Sequence, residues 1–284
     1  MEDYASGLIG LGMILAYLSA YFAGPYYHLL PDIGTFVLSA SVTALAYFLS
    51  MAFKTRVVAV ISLFGGVLAP LLMAGAAGSH MVYLSYVFVL IAAMLVLSYR
   101  ISWPVLGYTS MFTSFIVIET IIMLPSGQGI ASGGMAILLH LFFTAFYIYN
   151  GLEVVRHSAI TRTTVILFSS NLIFFLFTLN QVITDNLRLG WVYLADTAVL
   201  FGLFWSIPLI VRAAGEKAGC RKLLQMICLV SCGLLAGFGV LAVTRPDFLG
   251  AVWGIEALIL LAFGSRFNLF QVRIESYVNQ AVSV

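Results

Sequence analysis

The sequence predicts an all-α protein: a polytopic transmembrane helical bundle of about ten spans, with both termini in the cytoplasm. Hydrophobic residues make up 62% of the 284 residues and charged residues only 8%, whereas a soluble domain carries about 25% charged residues. Apolar runs of membrane-spanning length follow one another along the chain, which leaves no room for a sizeable soluble domain. Lysine and arginine concentrate in alternate loops, and this asymmetry orients the bundle.

Ten segments are long and apolar enough to cross a bilayer. In chain order they cover about residues 5–23, 34–53, 57–74, 81–97, 105–123, 135–152, 164–179, 191–211, 223–243 and 248–263. The acidic start Glu2-Asp3 differs from the basic start of a signal peptide, so the first segment is expected to remain as a spanning helix. We predict a single transmembrane domain of helical hairpins over residues 1–265.

Residues 266–284 are predicted to form a cytoplasmic amphipathic tail. This tail lies on the membrane surface or docks a partner. Its apolar side chains recur at helical spacing and are Phe270, Ile274, Tyr277, Val278 and Ala281.

The predicted spans place 11 of the 13 basic residues on one side of the membrane. These are Lys54, Arg56, Arg100, Arg156, Arg162, Arg212, Lys217, Arg221, Lys222, Arg266 and Arg273. The opposite side holds Arg188 and Arg245. Because positive loops stay in the cytoplasm, this predicts a multi-pass protein of the bacterial inner (plasma) membrane.

Titratable side chains recur at one predicted depth. Glu256, Asp196 and His140 each stand six positions after a glycine that opens a span. That offset puts them about 9 Å below the outer interface, and Glu119 reaches the same level from the fifth span. A layer of such groups without lysine or arginine is typical of a proton relay or a cation site beside a water-filled cavity. The alternative is that each carboxyl is protonated, hydrogen-bonded to a neighbouring helix, or close enough to reach the interface.

Glycines give two further signals. The spacings Gly233-x-x-x-Gly237 and Gly250-x-x-x-Gly254 predict close packing of the ninth and tenth helices, which turns Glu256 toward protein. In the third span, Gly65, Gly66 and Pro70 either break the helix and expose backbone groups to a cavity, as in transporters, or are absorbed by neighbouring helices.

No enzyme, cofactor or nucleic-acid motif is present in the sequence. Three cysteines do not form a disulfide framework, and free thiols are expected. Cys228 and Cys232 lack a further histidine or cysteine at ligand spacing, so no metal site is predicted. A membrane enzyme is the least favoured class; its general base would be Asp32 or Asp247.

Two runs carry a family resemblance. Leu63-Phe64-Gly65-Gly66-Val67-Leu68-Ala69-Pro70-Leu71-Leu72 and Val252-Trp253-Gly254-Ile255-Glu256-Ala257-Leu258 resemble a bacterial predicted-membrane-protein family, known as domain-of-unknown-function family 2339. Members are typically longer and usually have glycine after the glutamate, where this chain has Ala257; the chain is expected to be a short member or a fragment. The resemblance implies the fold class and no activity.

Two functions stay open from the sequence. The first is a proton- or cation-linked transporter of an unidentified small solute. The alternative is a non-catalytic scaffold or accessory subunit of a cell-envelope membrane complex. The expected partners are the lipid bilayer and either other membrane subunits or further copies of the chain.

Overall fold

The computed structural model describes residues 2–77, 80–123, 132–157, 161–213, 218–244, 249–267 and 269–282. Within these ranges every regular element is a helix. The helices are α1 (Glu2–Tyr21), α2 (Asp32–Phe53), α3 (Arg56–Ala77), α4 (His80–Ile101), α5 (Pro104–Met123), α6 (Ser132–His157), α7 (Arg162–Val182), α8 (Asn186–Ala213), α9 (Ala218–Val243), α10 (Leu249–Arg266) and α11 (Phe270–Val282). A short π-helical segment, Phe22–Tyr26, extends α1.

The predicted transmembrane helical bundle is confirmed. Each of the ten predicted spans coincides with one of α1 to α10, apart from a few residues at the ends. Within the described residues, eight helices are long and apolar enough to cross a membrane. The remaining two are α3, whose described apolar part is Arg56–Leu68, and α10, which has 18 residues.

The chain divides into two compact units, Met1–Tyr149 and Asn150–Val284. Both units have an apolar core, but they also expose many large apolar side chains and bury several small polar ones. Val89 and Val199 are 66% and 71% exposed, whereas Ser62 and Thr178 are fully buried. Lipid tails are as apolar as leucine, so a membrane protein has no reason to bury its largest apolar side chains. This distribution fits a protein whose outer surface contacts a bilayer.

In unit 1, α1, α2 and α3 meet at a hydrogen-bonded polar cluster. The Tyr17 hydroxyl donates to Thr43 Oγ1 at 2.9 Å, and Ser62 Oγ donates to the Thr43 carbonyl at 3.2 Å. Two glycines of α3 make room for this cluster. A Cβ at Gly65 would collide with the Tyr17 ring, and one at Gly66 would lie 2.7 Å from Thr43 Cγ2.

The predicted break at Gly65, Gly66 and Pro70 is absent from this structure, because α3 stays helical through all three residues. The side chain of Pro70 lies outside the described residues. The two glycines instead allow the Tyr17 ring and Thr43 to approach the α3 backbone. Involvement of these three residues in ion or solute binding stays a prediction.

Replacing Tyr17 with phenylalanine is expected to lower the free energy of unfolding by about 1 kcal/mol, because the bond to Thr43 is lost while the ring is kept. Tyr21→Phe, on the same helix, is the matched control. Unfolding in mixed detergent micelles measures both variants. Equal stability of the two variants would contradict a stabilising role for this hydrogen bond.

In unit 2, α8 and α9 pack with their backbones in close approach. A Cβ at Gly190 would lie 2.9 Å from the carbonyl oxygen of Gly239, and one at Gly239 would lie 3.2 Å from that of Gly190. Two thiols of α9 also donate to α8 carbonyls, Cys228 to Leu200 at 3.6 Å and Cys232 to Thr197 at 3.7 Å. All three cysteines of the chain are buried, and none of them forms a disulfide, in line with the sequence prediction.

The final helix, α11, lies within the predicted tail of residues 266–284, whose position relative to the membrane stays a prediction. It packs antiparallel along α10, where Ser276 Oγ donates to the Ala257 carbonyl at 2.9 Å. Val272 and Ser276 form its buried face. Ile274 and Tyr277, which the sequence placed on the docking face, are 46% and 57% exposed. The helix therefore belongs to the packed core of unit 2.

Candidate functional site

Glu256 lies near the middle of α10 and faces α9. Its two carboxyl oxygens are 3.6 and 3.7 Å from the position that a Cβ of Gly237 would occupy. Both oxygens are buried, and neither has a hydrogen-bond partner among the described residues. At Gly237 the space beside α9 is occupied by a carboxyl group, and close backbone packing of α9 and α10 at the two glycine pairs stays a prediction.

Glu275 is a second buried acid, which the sequence analysis did not identify. It projects from α11 onto Gly233, one helical turn before Gly237, with its Cδ 3.1 Å from the Cβ position of that glycine. Its carboxyl oxygens are also buried and have no hydrogen-bond partner within the described part of the chain. Glu275 is close enough to Glu256 for the two to interact electrostatically. The two glutamates are called the acid pair below.

Two open grooves, each with a volume of about 270 Å³, lie next to the acid pair. The first runs between α8, α9 and α10 and includes Thr197 and Cys232. The second runs between α9, α10 and α11 and includes Trp253 and Glu275. Glu256 lines both grooves. The residue thus borders both grooves, while its carboxyl oxygens are buried.

The acid pair can exchange a small cation. The two carboxyl groups face glycines that are one helical turn apart on α9. They cannot both be charged cheaply in apolar surroundings. Besides the two glutamates, Cys232 of α9 faces Glu275. Arg273 of α11 packs against Gly264, toward the end of α10. The pair is thus suited to hold a shared proton, or to trade that proton for a metal cation entering from a groove.

The predicted site residue Asp196 lies on α8 in the same unit. It is half-buried and interacts electrostatically with Tyr193, whose hydroxyl donates to the Leu176 carbonyl at 2.9 Å. The next residue, Thr197, lines the first groove, whereas Asp196 is not among the described residues that line it. Asp196 is therefore one residue away along α8 from a residue that lines the groove, and its role in an ion site stays a prediction.

The other two predicted site residues belong to unit 1. His140 is half-buried on α6, with Nδ1 2.6 Å from the Ala136 carbonyl oxygen of its own helix. Glu119 is half-buried near the end of α5. Glu119 and His140 thus belong to one unit, and Asp196 and Glu256 to the other. A single layer shared by all four residues stays a prediction.

Comparison with known proteins covers nearly the whole chain. The model of a family described as predicted membrane protein (DUF2339) matches residues 1–277. No curated protein and no solved structure matches the chain. The resemblance carried by the glycine-rich run of α3 and by the run around Glu256 is confirmed. The chain therefore belongs to the predicted membrane protein family DUF2339.

Proposed function

We propose that this protein is a proton- or cation-linked transporter of an unidentified small solute, in which Glu256 binds and releases the coupling ion. The observation that carries the proposal is the position of the Glu256 carboxyl. Both of its oxygens are buried and lack a hydrogen-bond partner among the described residues, and Glu256 lines two grooves.

The energetic cost of this arrangement supports a functional role. An ionisable side chain at membrane depth is expensive, and such residues commonly mark ion pathways or proton relays. A purely structural carboxyl would be expected to accept a hydrogen bond from a neighbouring helix. Gly237 supplies no side chain at this point, so α9 leaves space beside the carboxyl rather than a donor.

The acid pair extends the proposal to Glu275. With two carboxyl groups facing one glycine surface, the charge of one affects the occupancy of the other. Asp196 of α8 is proposed to pass the ion between the aqueous surface and Glu256. Glu119 and His140 are proposed to form the corresponding acid–base position in unit 1.

Ion flux into proteoliposomes tests this function. Purified protein is reconstituted with a pH-sensitive or sodium-sensitive dye inside, and flux is started by an imposed membrane potential. We expect flux above empty liposomes for the wild type and at least about a tenfold loss for Glu256→Gln, which keeps shape but removes the titrating group. Asp196→Asn is expected to reduce flux by less. Asp185→Asn is the control, because Asp185 is exposed and paired with Arg188 at 3.2 Å.

A different outcome supports the alternative function. If the folded wild type carries no proton, sodium or potassium flux and Glu256→Gln changes only its stability, the transporter proposal fails. The protein would then be a non-catalytic scaffold or an accessory subunit of a cell-envelope complex. In that case the acid pair contributes to helix packing alone.

A further inference from the structure

A basic pocket lies in unit 1, far along the chain from the acid pair. It is formed where α2 turns into α3 and where α4 turns into α5, two turns that the predicted orientation places in the cytoplasm. Lys54, Arg56 and Arg100 line it together with Ile101 and Trp103. Its volume of about 490 Å³ is within the range of sites for small ligands.

The three positive charges have no counter-charge in the described structure. Lys54, Arg56 and Arg100 are all exposed, and none of them forms an ion pair within the described residues. Three cations around one space repel each other, and they produce a positive potential that attracts an anion. A pocket of this kind favours an anionic ligand over a neutral one.

The pocket is held in place by its backbone. Lys54 caps α2 in the left-handed region at φ 51, and its N–H donates to the Ser50 carbonyl. Trp103 is fixed by Ser98, which accepts from the Trp103 N–H at 3.0 Å and donates through Oγ to the Trp103 carbonyl at 2.7 Å. The Arg56 guanidinium lies 5.8 Å from the centre of the Trp103 ring. This distance allows a cation–π interaction, and the exposed guanidinium can also donate to a phosphate.

We propose that this pocket binds the phosphate group of an anionic phospholipid at the cytoplasmic face of the membrane. Exposed apolar side chains lie close in sequence to the residues that line the pocket. Phe53, Val57 and Val105 are 59%, 56% and 55% exposed. A headgroup bound to the cations would thus have its acyl chains along these residues. Tryptophan and basic residues at the membrane interface are the usual means of recognising such headgroups.

Native mass spectrometry of the detergent-solubilised protein tests the proposal. The protein is titrated with cardiolipin, phosphatidylglycerol or phosphatidylcholine, and bound lipid is counted. We expect one tightly retained anionic lipid and no equivalent retention of phosphatidylcholine. The triple variant Lys54→Gln/Arg56→Gln/Arg100→Gln is expected to bind the anionic lipid about 100-fold more weakly, and each single variant about 5-fold more weakly.

A matched variant controls for overall charge. Arg221→Gln/Lys222→Gln/Arg266→Gln removes three exposed basic residues from unit 2 and is expected to keep the tightly bound lipid. Equal affinity in wild type and triple variant overturns the proposal, as does equal weakening by the control. The graded single variants keep the test decisive if the triple variant does not fold.

Soluble phosphate is the competing source of the same chemistry. Inorganic phosphate and glycerol phosphate, added at millimolar concentration, are expected to leave the bound lipid in place. If they displace the lipid and bind in its absence, the site belongs to a soluble phosphate compound and the lipid assignment fails. The test does not depend on ion flux, so it stands apart from the proposed transport function.

Discussion

Replacing Gly190 with alanine is expected to destabilise unit 2 by about 2–3 kcal/mol, the cost of inserting a methyl group into a filled core. The new Cβ would lie 2.9 Å from the Gly239 carbonyl oxygen and 3.1 Å from the Ala242 Cβ, and it would also collide with Val243. A side-chain rotation cannot relieve contacts with backbone. The α8 and α9 helices would have to move apart, and this would break the hydrogen bonds of Cys228 and Cys232 to α8.

The same helix offers a matched control. Gly202 also lies in α8, and a Cβ there would meet nothing within 4 Å. Gly202→Ala is therefore expected to change the free energy of unfolding by less than about 1 kcal/mol, with the sign set by helix propensity. Reversible unfolding in mixed micelles, followed by circular dichroism, measures both variants. Similar stability of the Gly190→Ala and Gly202→Ala proteins would rule out backbone contact between α8 and α9.

Replacing Glu275 with glutamine is expected to reduce ion flux by about as much as Glu256→Gln does, at least about tenfold. Both changes remove one member of the acid pair. Because residues that act as a unit are not additive, the double variant should lose little more than either single variant. The measurement is the proteoliposome flux assay, made over a series of external pH values.

Two glycine variants test whether ion flux depends on the position of the carboxyl groups as well as on their charge. A Cβ at Gly237 would lie 3.6 Å from the Glu256 carboxyl, an ordinary contact, whereas one at Gly233 would displace the Glu275 carboxyl. Because the end of a glutamate side chain moves easily, Gly233→Ala should keep stability but reduce flux, and Gly237→Ala should keep both. Full flux in Glu275→Gln, with flux lost in Glu256→Gln, would show that Glu256 acts alone.

The spans could be predicted from the sequence because each has about twenty apolar residues between polar turns. Hydropathy alone sets their number and approximate ends. The spacing of Gly233 and Gly237 also predicted that Glu256 faces protein. The contact between Gly190 and Gly239 could not be predicted in the same way, since it depends on which helices pair and at what height. A glycine shows that close approach is possible, but not what approaches it.

Glu275 was missed for a physical reason. The prediction of a tail on the membrane surface or docked to a partner rested on the apolar side chains of α11 alone. In the structure the apolar Ile274 and Tyr277 face outward, while Ser276 and Glu275 face α9 and α10. Membrane proteins can reverse the arrangement of soluble ones in this way, because lipid solvates apolar side chains and protein must satisfy polar ones. The same reversal, applied to the sequence, would have identified Glu275.

The left-handed backbone at Lys54 has a consequence for engineering this protein. Any residue with a Cβ is strained there, and only glycine adopts this conformation without cost. A search for more stable variants will therefore tend to select Lys54→Gly. That change removes one of the three cations of the basic pocket. A variant chosen for its stability in detergent would then lack one cation of the proposed lipid-binding pocket. Its lipid binding and its behaviour in a bilayer should be checked separately.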